Sequence, residues 1–230
     1  ADFPGVAHNS TRWLLGFFFG AFIKNKRISL LDNGPLESLL ARYLDFGRID
    51  RNIINGALDA VAITCSGYTS GQSCSFFQGT DQLEGWKRSQ RIGIKTRLTV
   101  QHLMASSAIP FLFPAYHLNR EYFGDGSMRQ VAPVSPALHL GADRVFVVGT
   151  GRQIVNAEPP RVRQSLYPSF AQIAGHALNS IFLDSLYVDL ERLSRINRTV
   201  ALIPPDKLHE AGLPLRKIKV LVISPSQPLE

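Results

Sequence analysis

The chain alternates short, continuous apolar runs with stretches in which apolar residues recur every three or four positions, the pattern of strands interleaved with helices. Residues 13–23 form the first apolar run, interrupted only by Gly16 and Gly20. That is short of the roughly 20 residues needed to cross a bilayer. It suits a core or lid helix or, with Lys24, Lys26 and Arg27 just after it, an interfacial element that touches lipid. Next, Asn33 or Asp32 caps a helix with Pro35 in its first turn, and Leu36, Leu39, Leu40 and Tyr43 share a face. Residues 61–65 read as a buried strand, 68–71 as a turn and 73–77 as the hairpin partner. Thr99 caps a short helix reaching about Ala105, and Ile109-Pro110 ends it.

Further along, residues 133–140 read as a helix stopped by Gly141, followed by a strand at 144–149 with an all-apolar core. A strand without polar alternation implies burial on both faces, as in a parallel sheet covered by helices. Residues 168–197 read as one long helix, with Phe170, Ile173, Ala177, Ile181, Leu186, Leu190 and Leu193 along its inner side. Two more strands are expected near 200–203 and 217–223, and the loop of 152–167 is the most exposed-looking stretch. Strands alternating with helices predict an α/β class with a mostly parallel sheet. No repeat or interdomain linker divides the chain, so residues 1–230 read as a single domain.

Composition sharpens this only in places. With 45% hydrophobic and 19% charged residues the chain is globular rather than disordered. The net charge of +7 favours anionic partners, whether membrane surfaces, phospholipid head groups or nucleic acid, and equally suits a soluble protein with a basic surface. Cys65 and Cys74 have neither metal-ligand spacing nor a disulfide framework. With Ser70-Gly71 at the centre of the turn, Cys65 would face Phe76, leaving two free thiols out of register, as suits a reducing cytoplasm. The opening Ala1-Asp2-Phe3-Pro4 lacks the features of a signal peptide, and both ends suggest a fragment.

Candidate chemistry concentrates in residues 99–143. Asp125 lies between Gly124 and Gly126, just after a short aromatic strand. Glycines there permit a tight turn with unusual dihedrals and leave the carboxylate uncrowded, so that it can take a proton from a hydroxyl nucleophile. Alone, Asp-Gly is an ordinary turn pair. Other signals are weaker. Gly149-Thr150-Gly151 fails as a dinucleotide fingerprint because Ile154 stands at the third glycine position. The six histidines have no metal-ligand spacing, and His102 suits a helix-face or buried hydrogen-bonded role better than a catalytic one. Arg120, Arg152, Arg161 and Arg163 read as solvated loop charges or as a patch for anionic head groups.

The order of motifs carries more. Ala105-Ser106-Ser107-Ala108-Ile109-Pro110, then Phe113-Pro114, then Gly124-Asp125-Gly126-Ser127, then a proline-bounded helix leading to Gly141-Ala142-Asp143-Arg144 resembles the second half of patatin-like phospholipases. The segments 31–46 and 62–71 are similar to that family as well. The long helix with Asp184, Asp189, Arg192 and Ile196-Asn197 is similar to its bacterial branch.

This resemblance implies a three-layer α/β/α patatin-like fold with a mostly parallel central sheet, its N-terminal part missing. It also implies a serine–aspartate dyad without histidine and a glycine-rich oxyanion loop. Only the aspartate carries over, as Asp125 with Gly124 and Gly126 shaping its turn; Ser127 stands where many relatives have a third glycine. The family's G-x-S-x-G elbow precedes the segment matching residues 31–46, and residues 1–30 contain none. Gly71-Gln72-Ser73-Cys74-Ser75 imitates it poorly and sits in a hairpin, while Ser106, Ser107 and Ser127 suit packing or hydrogen-bonding roles.

The expectation is a lipid acyl hydrolase with Asp125 as general base and its serine upstream, this chain alone being inactive. Residues 13–23 and 111–113 are candidates to line the acyl site. No metal or organic cofactor is implied. The expected partners are a lipid or acyl ester and, peripherally, an anionic membrane, without nucleic acid; the setting is cytoplasmic and the oligomeric state open. A non-catalytic membrane- or protein-interaction module of the same fold is the alternative.

Overall fold

The computed structural model describes residues 29–130, 132–149, 169, 172, 175, 185–212 and 215–225. The chain divides after Gln130 into two compact units.

The first unit is built on a six-stranded sheet. Its helices and strands run α1 (Gly34–Tyr43), α2 (Gly47–Ile54), β1 (Ala60–Gly67), β2 (Ser73–Gly79), β3 (Trp86–Arg88), β4 (Arg91–Lys95), α3 (Val100–Ser106), β5 (Tyr116–Leu118) and β6 (Glu121–Asp125). A 3₁₀ turn, Gly126–Arg129, follows β6 directly. The strand order is β3-β4-β2-β1-β6-β5. Within it only β2 and β4 pair in parallel; the other four pairings are antiparallel.

The expected α/β class therefore stands, but the sheet of this unit is mostly antiparallel rather than mostly parallel. The connections explain the difference. A parallel pair needs a long crossover, whereas β3–β4 and β5–β6 are joined by two residues each, Ser89-Gln90 and Asn119-Arg120. Gln90 and Asn119 hold φ of 59° and 55°, the left-handed conformation tight hairpin turns use.

The β1–β2 hairpin forms as expected, with one correction. Its loop is four residues, 68–71, closed by Gly67 N–H donating to the Gln72 carbonyl at 2.9 Å. Centring the turn on 68–71 rather than on Ser70-Gly71 shifts the register by two, so Cys65 faces Cys74 and Ile63 faces Phe76. The two thiols are in register after all, and both are free and buried.

Strand alternation sorts the faces. Val61, Ile63 and Cys65 of β1 and Cys74 and Phe76 of β2 share a core with Leu98, Ala105, Leu118 and Phe123, against which Phe46 and Ile49 pack from the α2 side. The T-shaped contact of Phe76 with Phe123, at 5.4 Å, joins β2 to β6 across β1. On the opposite face Phe77 stacks on Trp86 at 5.3 Å, and Thr64 and Ser75 share a hydroxyl hydrogen bond. At α1 the N-cap is Asn33, whose side chain makes no cap bond; Asp32 before it accepts the Gly34 N–H at 3.0 Å, and Leu39 and Tyr43 of the expected inner face are exposed.

The second unit contains α4 (Ser135–His139), β7 (Arg144–Val148), α5 (Ser185–Ala201), α6 (Pro205–Glu210) and β8 (Lys219–Ile223), with β7 and β8 parallel. Gly141, at φ 94°, stops α4 as expected. Val134, Leu193 and Ile218 form its core with Leu138, Val145, Leu186 and Leu190. Asn197 clamps α5 to the strand by donating to the Ile218 carbonyl at 2.7 Å and accepting its N–H at 2.9 Å.

Two expectations change here. Residues 200–203 are not a strand: the first two close α5, and Leu202 and Ile203 N–H groups turn back onto the Thr199 and Val200 carbonyls. β7 is half-buried on alternate residues only, with Phe146 and Val148 exposed, so its apolar run does not mark burial on both faces. The long helix is described from Ser185 onward; Phe170, Ile173, Ala177 and Ile181 lie outside the described residues, as do 13–23 and 152–167. Among the described residues no helix is long and apolar enough to cross a membrane.

Candidate active site

Asp125 ends β6 and caps the 3₁₀ turn that follows. Its N–H donates to the Ala108 carbonyl at 3.0 Å, tying the end of β6 to the segment after α3. Its Oδ1 accepts two hydrogen bonds from Ser127, from the N–H at 2.8 Å and from the hydroxyl at 2.5 Å. Oδ2 has no partner among the described residues, and the side chain is only partly buried. The carboxylate is thus held by one oxygen and open at the other. Oriented this way, it can accept a proton from a hydroxyl without first giving up a structural bond.

The flanking glycines are required for a different reason from the one the sequence suggests. Neither has positive φ. Each is needed because a neighbour occupies the space of a side chain. A Cβ on Gly126 would lie 2.7 Å from the Thr64 carbonyl carbon and closer still to its oxygen. A Cβ on Gly124 would lie 2.7 Å from the Tyr68 hydroxyl and 3.0 Å from its ring. Close approach of backbone to strand β1, and of a ring to β6, selects glycine on both sides of the acid.

The three serines that the sequence brings close to Asp125 are donors to fixed acceptors. Ser106 Oγ donates to the Thr64 carbonyl at 2.8 Å and Ser107 Oγ to the Leu103 carbonyl at 2.9 Å, while Ser127 holds Asp125. The hydrogen-bonding roles expected of these three are what the structure contains. Ser73 opens β2, buried in the ladder, without the strand-to-helix turn a nucleophile elbow needs.

Two features escape sequence reasoning. Glu121 Oε1 accepts the N–H groups of Thr69 at 2.7 Å and Ser70 at 2.5 Å, stapling the β1–β2 loop to β6. The other is the row Cys74–Cys65–Asp125 across three strands. Burial first, then the charges of Cys74 and Asp125, push the Cys65 thiol far up; burial and Glu121 push Cys74 up to about 11. Both stay protonated at neutral pH, which disqualifies them as nucleophiles.

His102 is structural. It is buried, its ring edges Phe76 at 5.0 Å, and its Nδ1 accepts the Thr99 N–H at 3.1 Å in a capping box. Burial holds its imidazole below the ordinary value, against the opposing pull of the Thr99 backbone. The unfolded chain therefore takes up this proton first on acidification. The contribution to stability is complete above about pH 6.5 and is lost as pH falls from there through the depressed folded value. His102→Gln, which keeps the capping box, is expected to flatten the dependence of Tm on pH between about 7 and 5. Identical wild-type and variant slopes would contradict this.

An open cavity of about 390 Å³ lies at the other end of β2, lined by Asp50, Gln78, Gly79, Lys95, Thr96 and Arg97. Its polar groups engage one another: Gln78 donates to Asp50, and Arg97 pairs with Asp50 at 3.4 Å. Arg120 lies exposed in the β5–β6 turn, whereas Arg152, Arg161 and Arg163 lie outside the described residues, as do Thr150 and Gly151. Among the described residues no group of three or more His, Cys, Asp or Glu side chains is placed to hold a metal ion.

A family model described as Patatin-like phospholipase matches residues 3–138. The match includes the hairpin, α3, Ala108 and the whole of Gly124–Ser127. No curated protein matches the chain, and no solved structure does.

Proposed function

Because the chain belongs to the patatin-like phospholipase family, we propose that the protein hydrolyses acyl esters of lipids through a covalent acyl-enzyme, with Asp125 as the general base of a serine–aspartate dyad. The observation that carries this reading is the state of Asp125: Oδ1 is fixed by Ser127 and Oδ2 is unpartnered. In the first step the serine Oγ attacks the ester carbonyl while its proton passes to Asp125 Oδ2. The tetrahedral intermediate expels the alcohol, which recovers a proton, and leaves the acyl group on the serine. Water, oriented by the same carboxylate, then releases the fatty acid and restores the serine.

Ser73, Ser106, Ser107 and Ser127 are not suited to that attack, so the nucleophile is assigned to the segment encoded ahead of Ala1, and this chain alone to an inactive piece. The family match runs across the division at Gln130, which supports treating both units as parts of one patatin-like domain. The net charge of +7 supports peripheral attraction to an anionic lipid surface. A bacterial, cytoplasmic setting completes the proposal.

Hydrolysis of p-nitrophenyl esters by this chain and by the longer gene product tests the reading. Turnover by the longer protein alone is expected. Turnover by the 230-residue chain would return the nucleophile to a serine discounted above. Turnover by neither would favour the non-catalytic interaction module.

A further inference from the structure

Gly124 is a glycine because Tyr68 needs its place. The phenol lies across the backbone one residue before Asp125, its hydroxyl 2.7 Å and its ring 3.0 Å from where a Cβ on Gly124 would be. Tyr68 reaches there from the β1–β2 loop, which is held from several directions. Its own N–H donates to the Tyr122 carbonyl at 3.0 Å, Gly71 N–H donates to the Gly67 carbonyl at 3.1 Å, and Glu121 takes two further N–H groups of the loop. The Arg129 guanidinium packs against Gly71 from the 3₁₀ turn that Asp125 caps, its carbon 3.7 Å from the position of a Cβ there. The loop that carries the ring is therefore anchored to the same elements that position the acid.

Its hydroxyl has no hydrogen-bond partner among the described residues, and the side chain is 48% exposed. The hydroxyls of Ser106, Ser107 and Ser127 are committed to fixed acceptors. Tyr68 is thus a half-exposed donor beside the acid that no described residue engages. We propose that the Tyr68 hydroxyl donates a hydrogen bond to the acyl ester bound at Asp125, making it a substrate-contacting residue of the site. Burial first and the Asp125 charge second hold the phenol above its ordinary value. It therefore remains a protonated donor throughout the neutral and mildly alkaline range.

The inference rests on the hydrolase reading, and the test separates the two. In the longer gene product, Tyr68→Phe keeps the ring against Gly124 and removes only the hydroxyl. Its kcat/KM for p-nitrophenyl butyrate is expected to fall about tenfold, as the loss of one hydrogen bond to substrate implies, with thermal unfolding unchanged. Gly124→Ala, which displaces the ring while leaving the hydroxyl in the protein, is expected to lower kcat/KM at least as far. Wild-type kcat and KM in Tyr68→Phe, beside an inactive Asp125→Asn, would overturn the role of Tyr68 alone. An Asp125→Asn variant that turned over normally would overturn the hydrolase reading beneath it.

Discussion

Asp125→Asn in the longer gene product is expected to lower kcat/KM for ester hydrolysis about a thousandfold while leaving thermal unfolding almost unchanged. The two halves of that expectation come from the two oxygens of one carboxylate. Oδ1 has a structural role, accepting the Ser127 N–H and hydroxyl at the start of the 3₁₀ turn. An asparagine carbonyl can accept both bonds, and the backbone bond from residue 125 to the Ala108 carbonyl does not depend on the side chain. Oδ2 has the chemical role, and an amide nitrogen in its place cannot take a proton. Positioned general-base catalysis contributes about a hundredfold to ten-thousandfold, so the middle of that range is the expected loss. Kinetics and a melting curve on the same sample check both halves. A large fall in Tm would assign the lost activity to misfolding instead.

The second large effect falls on stability. Gly126→Ala places a methyl group against the Thr64 carbonyl, with its carbon 2.7 Å from the carbonyl carbon and 3.4 Å from the Cys65 nitrogen. Those atoms belong to β1, which is paired on both edges, to β2 and to β6, and cannot give way as an edge strand could. Ser106 Oγ already donates to that same oxygen at 2.8 Å. The 3₁₀ turn must move instead, and with it the Ser127 bonds that hold Asp125. Overpacking of this kind costs about 3 kcal/mol. For a protein of this size that lowers Tm by roughly 6–12 °C. Gly124→Ala meets a side chain, Tyr68, which can swing aside, so its melting temperature is expected to fall by much less. Equal effects of the two substitutions would contradict the distinction between a backbone wall and a movable ring.

How far the sequence revealed all this depends on whether the determinant is local. The hairpin loop at 68–71, the Thr99 cap and the stop at Gly141 were legible because each follows from the residues themselves. Asp125 was legible as a candidate because an acid between glycines, in order with the Ala105–Pro114 segment, is a local string.

Strand direction was not legible. It is set by which strand pairs with which, and the short links Ser89-Gln90 and Asn119-Arg120 lack the glycine signature of a tight turn although both are turns. The Cys65–Cys74 register failed for a related reason, since a shift of the turn centre within Thr69-Ser70-Gly71 slides the whole ladder. The apolar run at 200–203 continues a helix, where a short apolar string does not by itself distinguish helix from strand.

At the site, what could not be read was why the glycines are there. Thr64 lies sixty-two positions before Gly126 and Tyr68 fifty-six before Gly124, and only the pairing of β1 with β6 brings them together. The role of Glu121, accepting from Thr69 and Ser70, is equally a product of that pairing.

The central claim is that Asp125 activates a serine, and the rate at which a fluorophosphonate labels that serine tests it most directly. The longer gene product is expected to label at a single serine, and its Asp125→Asn variant to label at that serine about a hundredfold or more slowly. Equal labelling rates in the two proteins would contradict the account.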